Sequence, residues 1–433
     1  MKKSNFIRST FILLIGGLIT KILGMIIKIV MTRSLKTEGI GLYMLISPTF
    51  TLLIALAQLG LPVAISKLVA EDTRNNRNIV FSSIPITIIL NIIILTILIF
   101  FSEFIAINLL HDERCKYALM SIGFVLPFIS ISSIFRGYFF GKEKMVPHVV
   151  SNITEDIVRL LILAIGIPIF LKKGLEFAVA FVVLSNIISE LTSIFILFFF
   201  VPKNFNLKIS DFKPKKSDLK DILGISIPTT ASRLIGSIGY FFEPIILTYF
   251  LLKNGYTNSF IIQEYGILNG YVMPLLLLPS FFTLAISQAL IPVVSNAYAK
   301  GNKKYVSFKV KQALVLSLII GVLATSIFMV YPDIFLKFIY NTDKGISYIR
   351  ILAPICLLHY IQSPISSSLQ AIGFAKESMK ATFFGMLIRT SLLIIGCNLK
   401  IGLWGLVIAT SGNIIFVTLF DIYKIKKALK PSR

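Results

Sequence analysis

Basic residues interrupt several long apolar segments of this 433-residue chain. Lys21 and Lys28 lie in the first of them, TKILGMIIKIV, seven residues apart, which places them on one face of a helix about 10 Å apart along its axis. A cation at the centre of a bilayer costs about 2.5–3.5 kcal/mol, so each one needs compensation. Lys28 is near enough to the segment end to snorkel to the interface. Arg159, Arg233 and Arg389 occupy the centres of three later segments.

Carboxylates also interrupt long apolar segments, on predicted helices other than the one that carries Lys21 and Lys28. Glu155 and Asp156 precede Arg159, and Glu190 and Glu243 follow on the next two helices. Clustered Lys and Arg side chains suit a substrate with concentrated negative charge, such as a diphosphate. The carboxylates suit a coupling cation, Na+ or a proton, or a role in substrate release. A purely structural pairing of Glu155 with Arg159, at i and i+4, stays open.

The sequence carries no motif that indicates an enzyme, a metal site or a cofactor. A phosphate loop, HExxH and GxSxG are absent, and the histidines at 111, 148 and 359 lie in unrelated segments. His359 belongs to an apolar segment, where a packing role is the simpler interpretation. The three cysteines are too dispersed for a disulfide or metal framework.

Composition predicts an all-α, polytopic membrane protein. Hydrophobic residues make up 56% of the chain, charged residues 15%, and apolar runs of about 20 residues recur throughout. Twelve spans are predicted: 6–31, 42–69, 79–108, 117–140, 147–171, 176–201, 219–250, 262–292, 308–332, 345–371, 378–397 and 400–423.

The distribution of charge predicts the orientation. Alternate loops carry 27 of the 43 Lys and Arg residues on the side of the N-terminus and 11 on the other side, with five inside helices, so both termini are expected in the cytoplasm of a bacterial cell. The net charge of +23 follows from this bias and does not indicate nucleic-acid binding. A basic linker, 202–218, is predicted to divide an N-terminal lobe, 1–201, from a C-terminal lobe, 219–433. Its charge is typical of a solvated or lipid-skimming linker, and docking of a cytoplasmic partner is the alternative.

The two halves resemble each other. YFFGKEKMVPHVVSNITEDIVRLL and QAIGFAKESMKATFFGMLIRTSLL each run from a Gly and a Lys-Glu turn into a helix with one central Arg. Because each half starts in the cytoplasm and has six helices, the repeats are predicted to be parallel, with the substrate site in a central cavity between them.

Four stretches are similar to a known family. They are GIGLYMLISPTFTLLIALAQLGLPVAISKLVAE, FRGYFFGKEKMVPHVVSNITEDIVRLL, EYGILNGYVMPLLLLP and YIRILAPICLLHYIQSPISSSLQAIG. They resemble the stage V sporulation protein B branch of the polysaccharide exporters, within the multidrug, oligosaccharidyl-lipid and polysaccharide flippase superfamily. The resemblance implies two six-helix lobes, alternating access and export of an undecaprenyl-diphosphate-linked saccharide, such as a polysaccharide or peptidoglycan precursor.

The resemblance also implies roles for individual residues. The family pattern of a basic residue, Leu-Gly and a further basic residue in helix 1 matches Lys21 and Lys28, with Lys in place of the commoner Arg, and Arg159 matches the Arg of an EDIVR-like stretch. Many members have fourteen helices, two more than are predicted here.

Two other functions are consistent with the sequence. A Na+- or H+-coupled multidrug exporter would use Glu155, Asp156 and Glu190 for cationic drugs, although Lys21 would repel them. A membrane scaffold would recruit cell-wall or spore-coat machinery through the 203–217 region without transporting anything.

Overall fold

The computed structural model describes residues 2–71, 75–202 and 216–429, and it contains helices and no strand within those ranges. Most of the predicted linker, 203–215, lies outside the described residues. The helices are α1 (Lys2–Ala57), α2 (Leu61–Glu71), α3 (Asn76–Phe104), α4 (Cys115–Gly141), α5 (Met145–Leu171), α6 (Leu175–Phe200), α7 (Lys216–Lys253), α8 (Asn258–Gly266), α9 (Met273–Leu276), α10 (Ser280–Ala299), α11 (Lys303–Val330), α12 (Pro332–Phe335), α13 (Ile346–Ala371), α14 (Ala375–Asn398) and α15 (Trp404–Leu429).

Each predicted span overlaps a helix of this structure, which confirms the all-α, polytopic class. Within the described ranges, nine helical runs are long and apolar enough to cross a membrane, the first being the 57-residue run Ile15–Glu71. Lys36, with φ 57° and ψ −171°, divides that run into two helices. α5 carries Glu155, Asp156 and Arg159 within its length, and α13 carries Arg350 and His359.

The chain forms two compact units, residues 1–241 and 242–433. In unit 1, α1 packs against α4, α5 and α6, and an aliphatic and aromatic core joins α2, α3 and α4. In unit 2, a second core joins α10, α11, α13 and α15. The predicted lobe boundary at 202–218 and the cavity between lobes stay predictions.

The units share a local irregularity at the entrance of the fourth predicted span. A π-helical turn, Ile105–Leu109, precedes α4 in unit 1, and a second one, Leu336–Tyr340, precedes α13 in unit 2. Each turn is followed by a residue with positive φ, His111 at 56° and Asn341 at 55°. This likeness supports the internal repeat predicted from the sequence.

The kink at Lys36 is held by charges from a neighbouring loop. Arg114 donates to Glu38 at 2.8 Å and to Asp112 at 2.8 and 3.0 Å. The hydrogen bond to Asp112, with that to Glu38, raises the pKa of the Arg114 guanidinium above its ordinary value. The ion pairs therefore fix the direction in which the second half of α1 leaves the kink.

Two glycines four residues apart bring α4 against the backbone of α2. A Cβ at Gly137 would lie 2.7 Å from the carbonyl oxygen of Pro62, and one at Gly141 would lie 2.6 Å from that of Ser66. This is the small-xxx-small contact by which membrane helices approach closely.

We expect Gly137→Ala or Gly141→Ala to lower the free energy of unfolding by about 1–3 kcal/mol, because the backbone of α2 has to move. Thermal unfolding of the detergent-solubilised protein measures the change. Gly224→Ala is the control, since a Cβ there meets nothing within 4 Å. Equal melting temperatures for all three variants would contradict the close packing.

Candidate functional site

A cavity of about 270 Å³ lies within unit 1, large enough for roughly nine waters at about 30 Å³ each. Two basic side chains, Lys28 and Arg159, and one carboxylate, Asp156, line it. The remaining lining residues are Gly24, Ile27, Met31, Tyr43, Met44 and Ser47. We call it the basic pocket.

Folding of α1 at Lys36 creates the basic pocket. Lys28 precedes the kink, whereas Tyr43 and Ser47 follow it, and all three line the same space. The third wall is α5, which contributes Asp156 and Arg159 and packs along α1. A straight α1 would separate Lys28 from Ser47 by about 28 Å, at 1.5 Å per residue.

The two cations of the basic pocket are half-buried. The Nε atom of Arg159 is buried and has no hydrogen-bond partner among the described residues. Asp156 has three charged neighbours, Glu155, Arg159 and Arg136. A guanidinium N–H that is out of contact with water and without an acceptor is a group that an anionic ligand would satisfy.

Next to the pocket, a buried charge network joins α4, α5 and α6. Arg136 of α4 donates through Nη2 to a carboxylate oxygen of Glu155 and, at 2.8 Å, to the hydroxyl of Ser193. The same nitrogen lies 3.6 Å from Glu190 Oε2. One guanidinium thus faces two carboxylates, and Glu155 pairs with Arg136 rather than with Arg159.

Sequence reasoning did not single out Arg136. It lies five residues before the end of α4, where a basic residue is typical of the flank of a cytoplasmic loop. A signal was present, since Glu155 and Glu190 lie on two apolar helices and require a buried cation.

Two predicted substrate residues lie apart from the basic pocket. Lys21 is exposed and makes no ion pair or hydrogen bond within the part of the chain that the structure describes. Arg233 of α7 is also exposed and donates to Gln58 Oε1 at 3.2 Å, beside the break between α1 and α2. Among the described residues, neither Lys21 nor Arg233 contacts a carboxylate.

Arg389, a predicted substrate residue, and Glu243, a predicted ion-coupling residue, meet in unit 2. Arg389 of α14 contacts Glu243 Oε2 through Nε at 2.7 Å and through Nη2 at 2.6 Å. Tyr265 donates its hydroxyl to Glu243 Oε1 at 3.2 Å. Glu243 therefore neutralises Arg389 in this conformation. His359 is paired with Gln362 on its own helix, at 3.2 Å.

The chain matches two family models. Residues 6–298 match the family described as "Polysaccharide biosynthesis protein", and residues 269–395 match the model described as MatE. The chain belongs to the polysaccharide biosynthesis protein family. The match to this family covers about two thirds of the chain. The matched range, 6–298, includes every residue that lines the basic pocket.

Relatives of this chain occur in Bacillus subtilis (strain 168). Stage V sporulation protein B is 36% identical over 99% of this chain and 85% of the relative. Sporulation protein YkvU is 24% identical over 99% of this chain and 97% of the relative. Lipid II flippase MurJ is 22% identical over 89% of this chain and 76% of the relative.

Solved structures share the fold. An inward-facing multidrug resistance MATE family transporter of the MOP superfamily has a TM-score of 0.78 at 20% identity, over 96% of both chains. An outward-facing structure described in the same way has a TM-score of 0.64 at 19% identity, over 99% of this chain and 97% of the other. The chain is thus a multi-pass membrane protein that shares its fold with these transporters.

Proposed function

We propose that this protein is a flippase that moves an undecaprenyl-diphosphate-linked saccharide from the inner to the outer leaflet by alternating access. The observation that carries the proposal is the basic pocket, in which Lys28 and Arg159 face one cavity from two apolar helices. The diphosphate binds these cations, the saccharide follows it and the lipid tail stays in the membrane. Both termini lie in the cytoplasm.

The chemistry of the basic pocket favours an anion. Two cations and one carboxylate leave a net positive charge, and the unpartnered Nε of Arg159 adds a directed donor. Phosphate oxygens accept charge-assisted hydrogen bonds from both Lys and Arg. Lys21 and Arg233 are further cations of unit 1, outside the pocket, and Arg389 of unit 2 becomes available to an anion when its pairing with Glu243 opens.

The relatives support a glycan-bearing substrate. The family carries the description "Polysaccharide biosynthesis protein", and one relative is a lipid II flippase. Two others are sporulation proteins, so we propose a cell-wall or spore glycan precursor as the cargo. Transport requires no bond to form or break, and the protein acts as a transporter rather than as an enzyme.

Carboxylates supply the coupling step of this proposal. Glu155 and Glu190 share the guanidinium of Arg136. Because this group carries a single positive charge, it neutralises one of the two carboxylates and leaves the other charge for a coupling cation. Na+ or a proton at this network, at Asp156 or at Glu243 shifts the balance between inward-open and outward-open conformations.

A second candidate is a Na+- or H+-coupled multidrug exporter, favoured by the fold shared with multidrug resistance transporters. The basic pocket opposes it, because Lys28 and Arg159 repel cationic drugs.

Reconstitution into liposomes distinguishes the two functions. We expect fluorescent undecaprenyl-diphosphate disaccharide to become accessible to a membrane-impermeant quencher at a rate that depends on the protein, and ethidium export to match protein-free vesicles. Undecaprenol with the same fluorophore and no phosphate is the matched control and stays protected. Export of ethidium together with no movement of the diphosphate lipid would reverse the assignment.

A further inference from the structure

Each unit places one buried carboxylate against its fourth predicted span. In unit 1, Glu190 of α6 lies 3.6 Å from Arg136 of α4. In unit 2, Asp421 of α15 accepts a hydrogen bond from Ser366 of α13. Arg136 follows the first residue of α4 by 21 positions and Ser366 follows that of α13 by 20, so the two partners occupy matching levels. The guanidinium of unit 1 is replaced by a hydroxyl in unit 2.

Asp421 has no access to water in this conformation. Its exposed fraction is 0%, and its Oδ1 atom has no hydrogen-bond partner among the described residues. Ile365, next to Ser366, and Ile425, one turn beyond Asp421, belong to the aliphatic core of unit 2. An ionised carboxylate in such surroundings is strongly disfavoured.

Several charged groups on the surrounding helices have partners other than Asp421. The helices that pack on α15 are α11, α13 and α14. Within the described ranges, these groups are paired as follows: Lys424 with Glu377 at 2.6 Å, His359 with Gln362 at 3.2 Å, Arg389 with Glu243 at 2.6 Å and Lys309 with Gln312 at 3.0 Å. Asp421 therefore lacks the counter-ion that Arg136 gives to Glu190.

We propose that Asp421 is a proton-binding site of unit 2 and holds its proton as a neutral carboxylic acid in this conformation. A proton fits better than a metal ion, because the site offers one carboxylate and one hydroxyl whereas hard cations take several oxygen ligands. Loss of the proton would leave a bare charge in an aliphatic core, so it requires water to enter between α13 and α15. Proton release is thereby tied to a change of conformation, whichever substrate the protein carries.

Infrared spectroscopy of the full-length protein in lipid tests the site, because the carbonyl of a protonated carboxyl group absorbs apart from carboxylate and amide groups. At neutral pH we expect a carboxylic acid band that Asp421→Asn removes. Ser366→Ala is expected to retain the band at a higher frequency, since the carboxyl group loses a hydrogen-bond donor. Glu113→Gln, at an exposed loop residue, is the control and leaves the band unchanged.

Three outcomes would overturn the proposal. The first is an Asp421→Asn spectrum that equals the wild-type spectrum. The second is loss of the band when Na+ replaces choline at constant pH and ionic strength, which would assign the site to a metal ion. The third outcome applies if Asp421→Asn fails to fold. Asp421→Glu retains an acid at the site and is expected to move the carboxylic acid band, so an unmoved band in this variant would contradict the proposal.

Discussion

Replacing Arg136 with methionine is expected to lower the free energy of unfolding by about 3–5 kcal/mol, because it leaves Glu155 and Glu190 buried without a counter-ion. The side chains of Arg136, Glu155 and Glu190 are 21%, 15% and 7% exposed, so water compensates little of the loss. A thiol-reactive fluorogenic dye measures the unfolding, since Cys115, Cys356 and Cys397 are free and buried in the folded protein.

The carboxylates provide the internal control for this prediction. If the instability arises from unpaired charge, adding Glu155→Gln and Glu190→Gln to Arg136→Met restores most of the lost stability. Arg233→Met is the matched single variant, because Arg233 is exposed and makes one hydrogen bond, to Gln58. A triple variant as unstable as Arg136→Met alone would show that Arg136 contributes through packing and not through charge.

The order of helices was predictable from the sequence, but the breaks inside them were not. The predicted span 42–69 is two helices, separated at 58–60, where Leu59 and Gly60 have positive φ. The predicted span 262–292 contains a π-helical turn, Ile267–Val272, and a further break before α10. Hydropathy measures the apolar length of a segment, and a one-turn irregularity leaves that length unchanged.

The kink at Lys36 shows a second limit. The sequence predicts a connection between 31 and 42, yet the chain stays helical on both sides of a single residue with φ 57°. A positive φ at a lysine is uncommon, and the loop contact between Glu38 and Arg114 that accompanies it joins residues 76 positions apart. The basic pocket depends on this kink and was therefore beyond reach of local sequence patterns.

The charged residues were found by type, whereas their pairings were not. The spacing of Glu155 and Arg159 indicates a pair on one helix, yet Glu155 binds Arg136 of another helix. Likewise, Arg389 and Glu243 were predicted to have different roles and form one ion pair. Periodicity specifies the face of each helix, but the partner of that face depends on tertiary packing.

Loss of either basic-pocket cation is expected to have a larger effect on transport than loss of any other predicted substrate residue. Lys28→Ala and Arg159→Ala each remove a charge-assisted hydrogen bond worth about 1.5–3 kcal/mol, or roughly 10–150-fold in affinity for the diphosphate lipid. Arg159→Lys is expected to fall between wild type and alanine, since it keeps the charge and loses the planar fork. Lys21→Ala and Arg233→Ala are expected to cost less, because both side chains lie outside the pocket.

The liposome assay measures these effects as the concentration of diphosphate lipid that gives half-maximal flipping. Lys300→Ala is the control for the removal of a positive charge, since Lys300 is exposed at the end of α10. Each variant is first compared with wild type by thermal unfolding, so that a loss of binding is separated from a loss of fold. Wild-type transport by both Lys28→Ala and Arg159→Ala, with a large loss in Arg233→Ala, would move the diphosphate site away from the basic pocket, because the binding free energy would then depend on α7 and not on α1 and α5.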